Sequence, residues 1–149
     1  MNATTKPDPI ADCLQQAKTI AVVGFSAKPE RPSHQVAVYL QRAGYKLIPV
    51  NPALAGQIWL GELCHASLSS STAMQRIDIA DCFRRPEDIP PLVDEAIALG
   101  IPCVWMQSGI RHASAAGRAR QAGIFVVEDL CLKIEHLQRS QLWSDRRHA

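Results

Sequence analysis

A short polar segment near the start of the chain carries the residue types that bind phosphate. The segment, residues 24–33, follows the apolar run 19–23 and leads into a helical pattern. It contains Ser26, Lys28 and Arg31. An anion site forms where a buried strand, a tight turn and a helix N-terminus meet, because unpaired backbone N–H groups and the helix dipole point at one spot. The segment therefore predicts a nucleotide-like ligand that carries phosphate.

Two features restrict the class of nucleotide. Positions 26 and 29 are Ser and Pro, so the segment lacks the glycine spacing of a dinucleotide site, and it also lacks the Gly-Lys-Ser/Thr ending of a triphosphate loop. The second apolar run ends at Asn51, where an NAD site places a carboxylate and an NADP site has an arginine nearby. We expect a phosphorylated ligand whose ribose hydroxyls are not bound by a carboxylate. A sensor of redox nucleotides is an alternative.

Alternating apolar runs and helical patterns give the elements that position this segment. Strands are predicted at residues 19–24, 45–50, 77–83, 101–106 and 124–127. Helices are predicted at residues 9–17, 32–43, 89–99, 113–122 and 128–138. Between them, residues 53–76 predict only a short extended piece at 58–60 and a loop or brief helix at 67–73.

The predicted strands are continuously apolar, which indicates a parallel sheet covered by helices on both faces. The expected fold is α/β, a Rossmann-like doubly wound parallel sheet of about five strands in a single domain. In such sheets ligands bind at the carboxyl ends of the strands. We therefore expect the loops that follow the first four strands to meet at one edge.

Composition limits the class of protein and its partners. The chain has 149 residues, and 47% of them are apolar, which is typical of a globular protein. Its net charge of +2 is too small to attract nucleic acid or an anionic membrane through the overall electrostatic field. It shows no signal-like or membrane-spanning apolar run, and its five widely spaced cysteines contain no Cys-x-x-Cys pair. We expect a cytoplasmic protein with reduced thiols and no metal site. The predicted organisation is a flexible N-terminal tail at 1–9, a binding domain at 10–138 and a polar C-terminal tail at 139–149.

Five separated stretches resemble one known family. They read VGFSAKPERPS at 23–33, IPVNP at 48–52, DCFRRPE at 81–87, VWMQSG at 104–109 and CLKIEH at 131–136. Together they resemble the small stand-alone CoA-binding proteins of bacteria, which are similar to the CoA-binding domain of the succinyl-CoA synthetase alpha subunit. The resemblance covers residues 10–138 in uninterrupted order. The sequence departs from it at Leu130, where a basic residue is expected.

The resemblance implies that coenzyme A or an acyl-CoA lies across the strand ends. The loop after the first strand would bind the phosphates. The ends of the second and third strands would lie on either side of the nucleotide, and the end of the fourth strand would line the far side of the site. In that order the implied binding residues are Gly24, Phe25, Ser26, Lys28, Arg31 and Ser33; Asn51 and Pro52; Phe83 and Arg84; and Trp105, Gln107 and Gly109.

No catalytic constellation is evident in the sequence, so we expect a non-catalytic carrier, sensor or regulatory module. The histidines are isolated from one another. Cys131 is a candidate nucleophile, but Glu128 and Asp129 stand beside it and would disfavour its thiolate. The alternative is an enzyme that acts on a CoA thioester, with Cys131 or an unidentified protein partner completing the site.

Overall fold

A five-stranded parallel sheet forms the centre of the computed structural model, which describes residues 6–148 and the side chains of residues 6–143. The strand order is β2-β1-β5-β6-β7, and every neighbouring pair is parallel. These strands are β1 (Thr19–Val23), β2 (Lys46–Val50), β5 (Ile79–Cys82), β6 (Cys103–Met106) and β7 (Phe125–Val127). The fold class predicted from the sequence is confirmed, and each strand is about one to three residues shorter than the predicted apolar run.

Helices cover both faces of the sheet and divide the core in two. They are α1 (Pro9–Gln16), α2 (Pro32–Arg42), α3 (Leu68–Thr72), α4 (Ile89–Leu99), α5 (Ala113–Gln121) and α6 (Leu132–His148). On one face, α3, α4 and α5 pack around strand residues such as Ala80 and Val104. On the other, α1, α2 and α6 pack around Val22 and Trp105. Alternate strand residues therefore enter different cores, which explains why the strands are apolar throughout.

The segment between β2 and β5 adds a small hairpin beside the sheet. Strands β3 (Ile58–Trp59) and β4 (Glu62–Leu63) pair antiparallel. A short helix, α3, follows them. The extended piece and the brief helix expected in this segment are both present.

The last helix differs from the sequence-based expectation at both ends. It was predicted at 128–138 with a polar tail beyond, but α6 begins at Leu132 and continues to His148. Asp129 adopts a φ of 61°, which is incompatible with a helix at that point. Further along, Arg139 pairs with Asp8 at 2.8 Å, and Trp143 is buried against the core. The predicted end of the helix at residue 138 is therefore wrong, since α6 continues through 139–148. Ala149 lies outside the described residues, as do residues 1–5 of the predicted N-terminal tail.

Candidate functional site

A cleft of about 760 Å³ lies at the carboxyl ends of β1, β5 and β6. It occupies the point where the chain order of the sheet reverses, because α2 leaves β1 on one face and α4 follows β5 on the other. Eight of the thirteen sequence-predicted residues line it: Gly24, Ser26, Lys28, Arg31, Ser33, Phe83, Arg84 and Gln107. The loops after β1, β5 and β6 therefore meet as expected.

Gly24 permits the close approach of two strand ends. Its φ is +91°, and a Cβ at this position would lie 2.4 Å from the carbonyl oxygen of Phe83. Its N–H donates to the Val50 carbonyl at 2.9 Å. The glycine therefore makes room for the backbone that follows β5.

Hydroxyl groups inside the first loop fix its shape. The Ser26 N–H donates to Ser33 Oγ at 3.0 Å, and the Lys28 N–H donates to Ser26 Oγ at 3.1 Å. His34 Nδ1 donates to the Ser26 carbonyl at 2.8 Å. No side chain of residues 6–143 caps the start of α2, and Pro32 and Ser33 in its first turn line the cleft. The loop thus presents a helix start of the kind that binds phosphate.

The cleft carries an excess of positive charge. Lys28, Arg31 and Arg84 line it, and none of the three forms an ion pair with any residue from 6 to 143. Arg85 also reaches the cleft but pairs with Glu87 at 3.8 Å and Asp88 at 3.5 Å. In the same part of the chain no carboxylate lines the cleft. The site is therefore suited to an anion with more than one charge.

Two predicted aromatic contacts lie in the core instead of the cleft. Phe25 and Trp105 are both 0% exposed. The Phe25 ring stacks on His34 with centroids 5.2 Å apart, and Trp105 Nε1 donates to the Leu130 carbonyl at 2.8 Å. Neither side chain lines the cleft, because both project into the core beneath α2 and α6.

The predicted residues at the second strand end hold the loop in place. Asn51 Nδ2 donates to the Phe25 carbonyl at 2.7 Å, and its Oδ1 accepts the Ala53 N–H at 2.9 Å. Pro52 lines a smaller cavity of about 320 Å³ next to the cleft, and Arg84 borders both spaces. Asn51 is therefore a structural residue of the loop, while Pro52 stands at an extension of the site.

The far wall of the cleft is anchored to the start of α6. Gln107 is 5% exposed and accepts the Leu132 N–H at 3.1 Å through Oε1. The Gly109 N–H donates to Asp129 at 2.6 Å, and this hydrogen bond, with Arg111, lowers the pKa of the Asp129 carboxyl. Gly109 itself does not line the cleft, although its neighbours Ser108 and Ile110 do. At the corner where a basic residue was expected, Leu130 is half-buried against the core.

Sequence reasoning missed the apolar part of the wall. Val36, Ile110 and Ile134 line the cleft, together with Pro32 and Ser108. The helical spacing of Val36 and Ile134 marks them only as apolar positions of their helices, so the sequence gives no signal that they reach the cleft. Cys131 also lines the cleft, immediately before α6, and had been noted only as a candidate nucleophile.

Other site types find no support in residues 6–143. No group of three His, Cys, Asp or Glu side chains there could hold a metal ion. Among the helices that the structure describes, none combines the length and apolar character needed to cross a membrane.

Comparison with known proteins gives consistent matches over most of the chain. Residues 18–137 match the family described as the CoA binding domain. The chain is 39% identical over 127 residues to the uncharacterized protein YneT of Bacillus subtilis, covering 85% of this chain and 91% of that protein.

Solved structures share the same architecture. A protein from Thermus thermophilus is 43% identical, with a TM-score of 0.82 over 87% of this chain and 95% of that one. A hypothetical protein from Pyrococcus horikoshii OT3 is 34% identical, with a TM-score of 0.80 over 87% of this chain and 88% of the other. The dinucleotide forming acetyl-coenzyme A synthetase 1 of Ca. Korarchaeum cryptofilum shares the fold alone, at 23% identity and a TM-score of 0.62, over 73% of this chain and 25% of that enzyme.

Proposed function

Because this chain belongs to the CoA-binding domain family, we propose that the cleft at the carboxyl ends of β1, β5 and β6 binds coenzyme A or an acyl-CoA. The observation that carries the proposal is the set of three cations, Lys28, Arg31 and Arg84, that face the cleft without ion-pair partners in residues 6–143. Coenzyme A offers a diphosphate and a 3′-phosphate, so each cation can make a charge-assisted contact.

The rest of the wall suits the other parts of this ligand. Its pantetheine arm is amide-rich and partly apolar, and Val36, Ile110 and Ile134 provide an apolar surface beside the polar Gln107. The 3′-phosphate removes the free ribose diol that a carboxylate would clamp. The neutral Asn51 at the end of β2 is compatible with such a nucleotide.

The proposed role is binding without chemistry, as a carrier, a sensor or a regulatory module that works in the cytoplasm. Support comes from the lining residues, which within 6–143 include no histidine and no carboxylate that could serve as a base. A protein partner that receives the ligand or responds to it is part of this proposal.

Calorimetry with coenzyme A tests the proposal directly. We expect Arg84→Gln to weaken binding about 10- to 100-fold, since a hydrogen bond to a charged group contributes about 1.5–3 kcal/mol. The salt dependence of binding should fall with it. Arg118→Gln is the matched control, because Arg118 is on α5 and pairs with Asp94 at 3.1 Å. Absence of binding to the wild-type protein at about 1 mM ligand, a free energy weaker than about 4 kcal/mol, would reject the proposal.

A second candidate function rests on one residue, the Cys131 thiol at the cleft wall. Here the protein would act on a CoA thioester, with Cys131 or a partner chain supplying the reacting group. Incubation with short acyl-CoA thioesters, comparing wild type with Cys131→Ala, distinguishes the two functions. Turnover of the thioester that disappears in the variant would show that the protein is an enzyme and not only a binding protein. In a separate experiment, displacement of bound coenzyme A by NAD(H) or NADP(H) would favour the redox-nucleotide alternative.

A further inference from the structure

A distal cavity lies near the amino ends of β1 and β2, where the ends of α1 and α2 meet α6. Its volume is about 540 Å³, which is within the usual size of small-ligand pockets. Among residues 6–143 it shares no lining residue with the cleft at the carboxyl ends of the strands. Helix α6 contributes to both, with Ile134 at the cleft and Ser140 at the distal cavity. The distal cavity is therefore a separate candidate site.

Four rings form one wall of the distal cavity. His136 packs edge-on against Tyr39, Tyr45 and Trp143, with ring centroids 5.5–5.6 Å apart. All four residues line the cavity. Tyr45, His136 and Trp143 are each less than 10% exposed, so the core holds these three rings in fixed positions. Such a wall gives a flat apolar ligand a preformed surface to pack against.

His136 leaves one ring nitrogen available to a ligand. Its Nδ1 shares a hydrogen bond of 2.8 Å with the Tyr39 hydroxyl, whereas its Nε2 has no hydrogen-bond partner in residues 6–143. In the same residues, the two Asp81 oxygens are the only buried side-chain nitrogen or oxygen atoms without a partner, so Nε2 is accessible from the cavity. Burial lowers the pKa of His136, which keeps the ring neutral near pH 7. When the Tyr39 hydroxyl donates to Nδ1, the ring hydrogen is on Nε2 and can be donated to a ligand.

The charges around the distal cavity favour an anion. Lys18 and Arg42 line it, both are exposed, and neither forms an ion pair with any residue from 6 to 143. In the same part of the chain no carboxylate lines the cavity, and the Ser140 hydroxyl adds one more hydrogen-bond donor. A negatively charged group can therefore receive charge-assisted contacts from two side chains.

The helix ends around the distal cavity limit that anion to a small charge. Ala17 and Ala43 line the cavity, and they are the residues at which α1 and α2 end. A helix C-terminus carries partial negative charge, which the two cations offset for a single carboxylate but not for a polyphosphate. The cleft is the opposite case, because the start of α2 lies there together with three cations. The two sites therefore select different classes of anion.

We propose that the distal cavity binds a small aromatic carboxylate. Its ring packs against the aromatic wall, its carboxylate is held by Lys18 and Arg42, and His136 Nε2 donates to one of its oxygen atoms. This assignment does not depend on what binds in the cleft, since the two sites have no lining residue of 6–143 in common.

Titration with 4-hydroxybenzoate, followed by NMR of the backbone amides, tests the position and the chemistry of this site. We expect shifts at Arg42, His136 and Ser140 and none at Lys28 or Arg84 of the cleft. The uncharged analogue 4-hydroxybenzamide should bind about 10-fold more weakly, because it loses the charge-assisted contacts. Shifts confined to the cleft, or equal affinity for the acid and the amide, would overturn the proposal. So would the absence of shifts with benzoate, 4-hydroxybenzoate and indole-3-acetate at about 10 mM each.

Two exposed cations give a matched pair of variants. Arg42→Gln should weaken binding of 4-hydroxybenzoate about 10-fold. Lys46→Gln should leave it unchanged, because Lys46 lines a neighbouring cavity and, like Arg42, has no ion pair within residues 6–143. Equal losses would mean that only the overall charge attracts the probe, which contradicts the proposal. Long-range ¹⁵N NMR of the His136 ring should show its hydrogen on Nε2 in the complex, and a hydrogen on Nδ1 would refute the contact assigned to that atom.

Discussion

Gly24 shows how one residue determines both the sheet and the cleft. At φ +91° it turns the chain out of β1, and its missing side chain leaves space for the Phe83 carbonyl group. Any larger residue must displace the backbone after β5, and that segment also presents Arg84 to the cleft. The same position therefore controls stability and site geometry together.

We predict that Gly24→Ala destabilises the protein by about 3 kcal/mol or more, from the left-handed backbone and the 2.4 Å contact combined. Gly44→Ala is the matched control, because its φ of +107° is also left-handed but a Cβ there meets nothing within 4 Å. It should lose only about 1–2 kcal/mol. Urea unfolding of both variants measures the difference, and equal losses would show that the Phe83 contact is easily relieved.

His136 is a buried histidine whose titration affects stability near neutral pH. It is 7% exposed, shares a hydrogen bond of 2.8 Å with the Tyr39 hydroxyl, and packs edge-on against Tyr45 and Trp143. Burial lowers its pKa in the folded protein. Below about pH 6.5 the unfolded chain binds a proton that the folded protein resists, so stability falls as the pH drops.

We predict that the free energy of unfolding falls between pH 7 and pH 5, by up to about 1.4 kcal/mol for each unit by which the folded pKa is lowered. His136→Gln should remove this part of the pH dependence while lowering stability at pH 7. Carboxyl groups, including Asp81, titrate in both proteins, so the difference between the two curves isolates the histidine. Parallel curves for wild type and variant would contradict the prediction.

At the scale of elements, α6 connects the cleft to the opposite side of the molecule. Its first turn carries Ile134 at the cleft, and its later part places Trp143 beside α1. Arg139 lies between them and pairs with Glu135 at 2.9 Å and Asp8 at 2.8 Å. The half of the helix that was expected to be a tail is therefore a structural support for α1.

We predict that Trp143→Ala destabilises the protein by about 3 kcal/mol, the usual loss for removing a large buried aromatic side chain. Leu142→Ala is the control, since Leu142 is 61% exposed and its loss should change stability by no more than about 0.5 kcal/mol. Thermal unfolding compares them at equal pH. A small effect at both positions would restore the interpretation of this region as a loose tail.

At the scale of the whole molecule, the sequence was sufficient for the sheet but not for the direction of every side chain. Strand positions, helix order and the meeting of loops follow from local apolar patterns and from the rule that ligands bind at carboxyl strand ends. Phe25 and Trp105 were misplaced because a pattern cannot tell whether a residue at a strand end points outward or into the core. The extent of α6 was missed because its anchor, Asp8, is 131 positions from Arg139.

Ligand binding should also be visible in the stability of the entire fold. We predict that coenzyme A at about 100 times its dissociation constant stabilises the folded protein by about 2.7 kcal/mol and raises the melting temperature. The analogue without the 3′-phosphate should give a smaller shift at the same concentration. An equal shift with both ligands would show that the 3′-phosphate does not contact the three cations.

The ion pair between Asp8 and Arg139 also has a consequence for how the chain is made. Its partners are 131 positions apart, so at 5–20 residues per second the ribosome produces Arg139 roughly 7 to 26 s after Asp8. During that interval α1 lacks the arginine and the tryptophan that hold it in place. The contacts that fix α1 against α6 can therefore form only after the last helix has been synthesised.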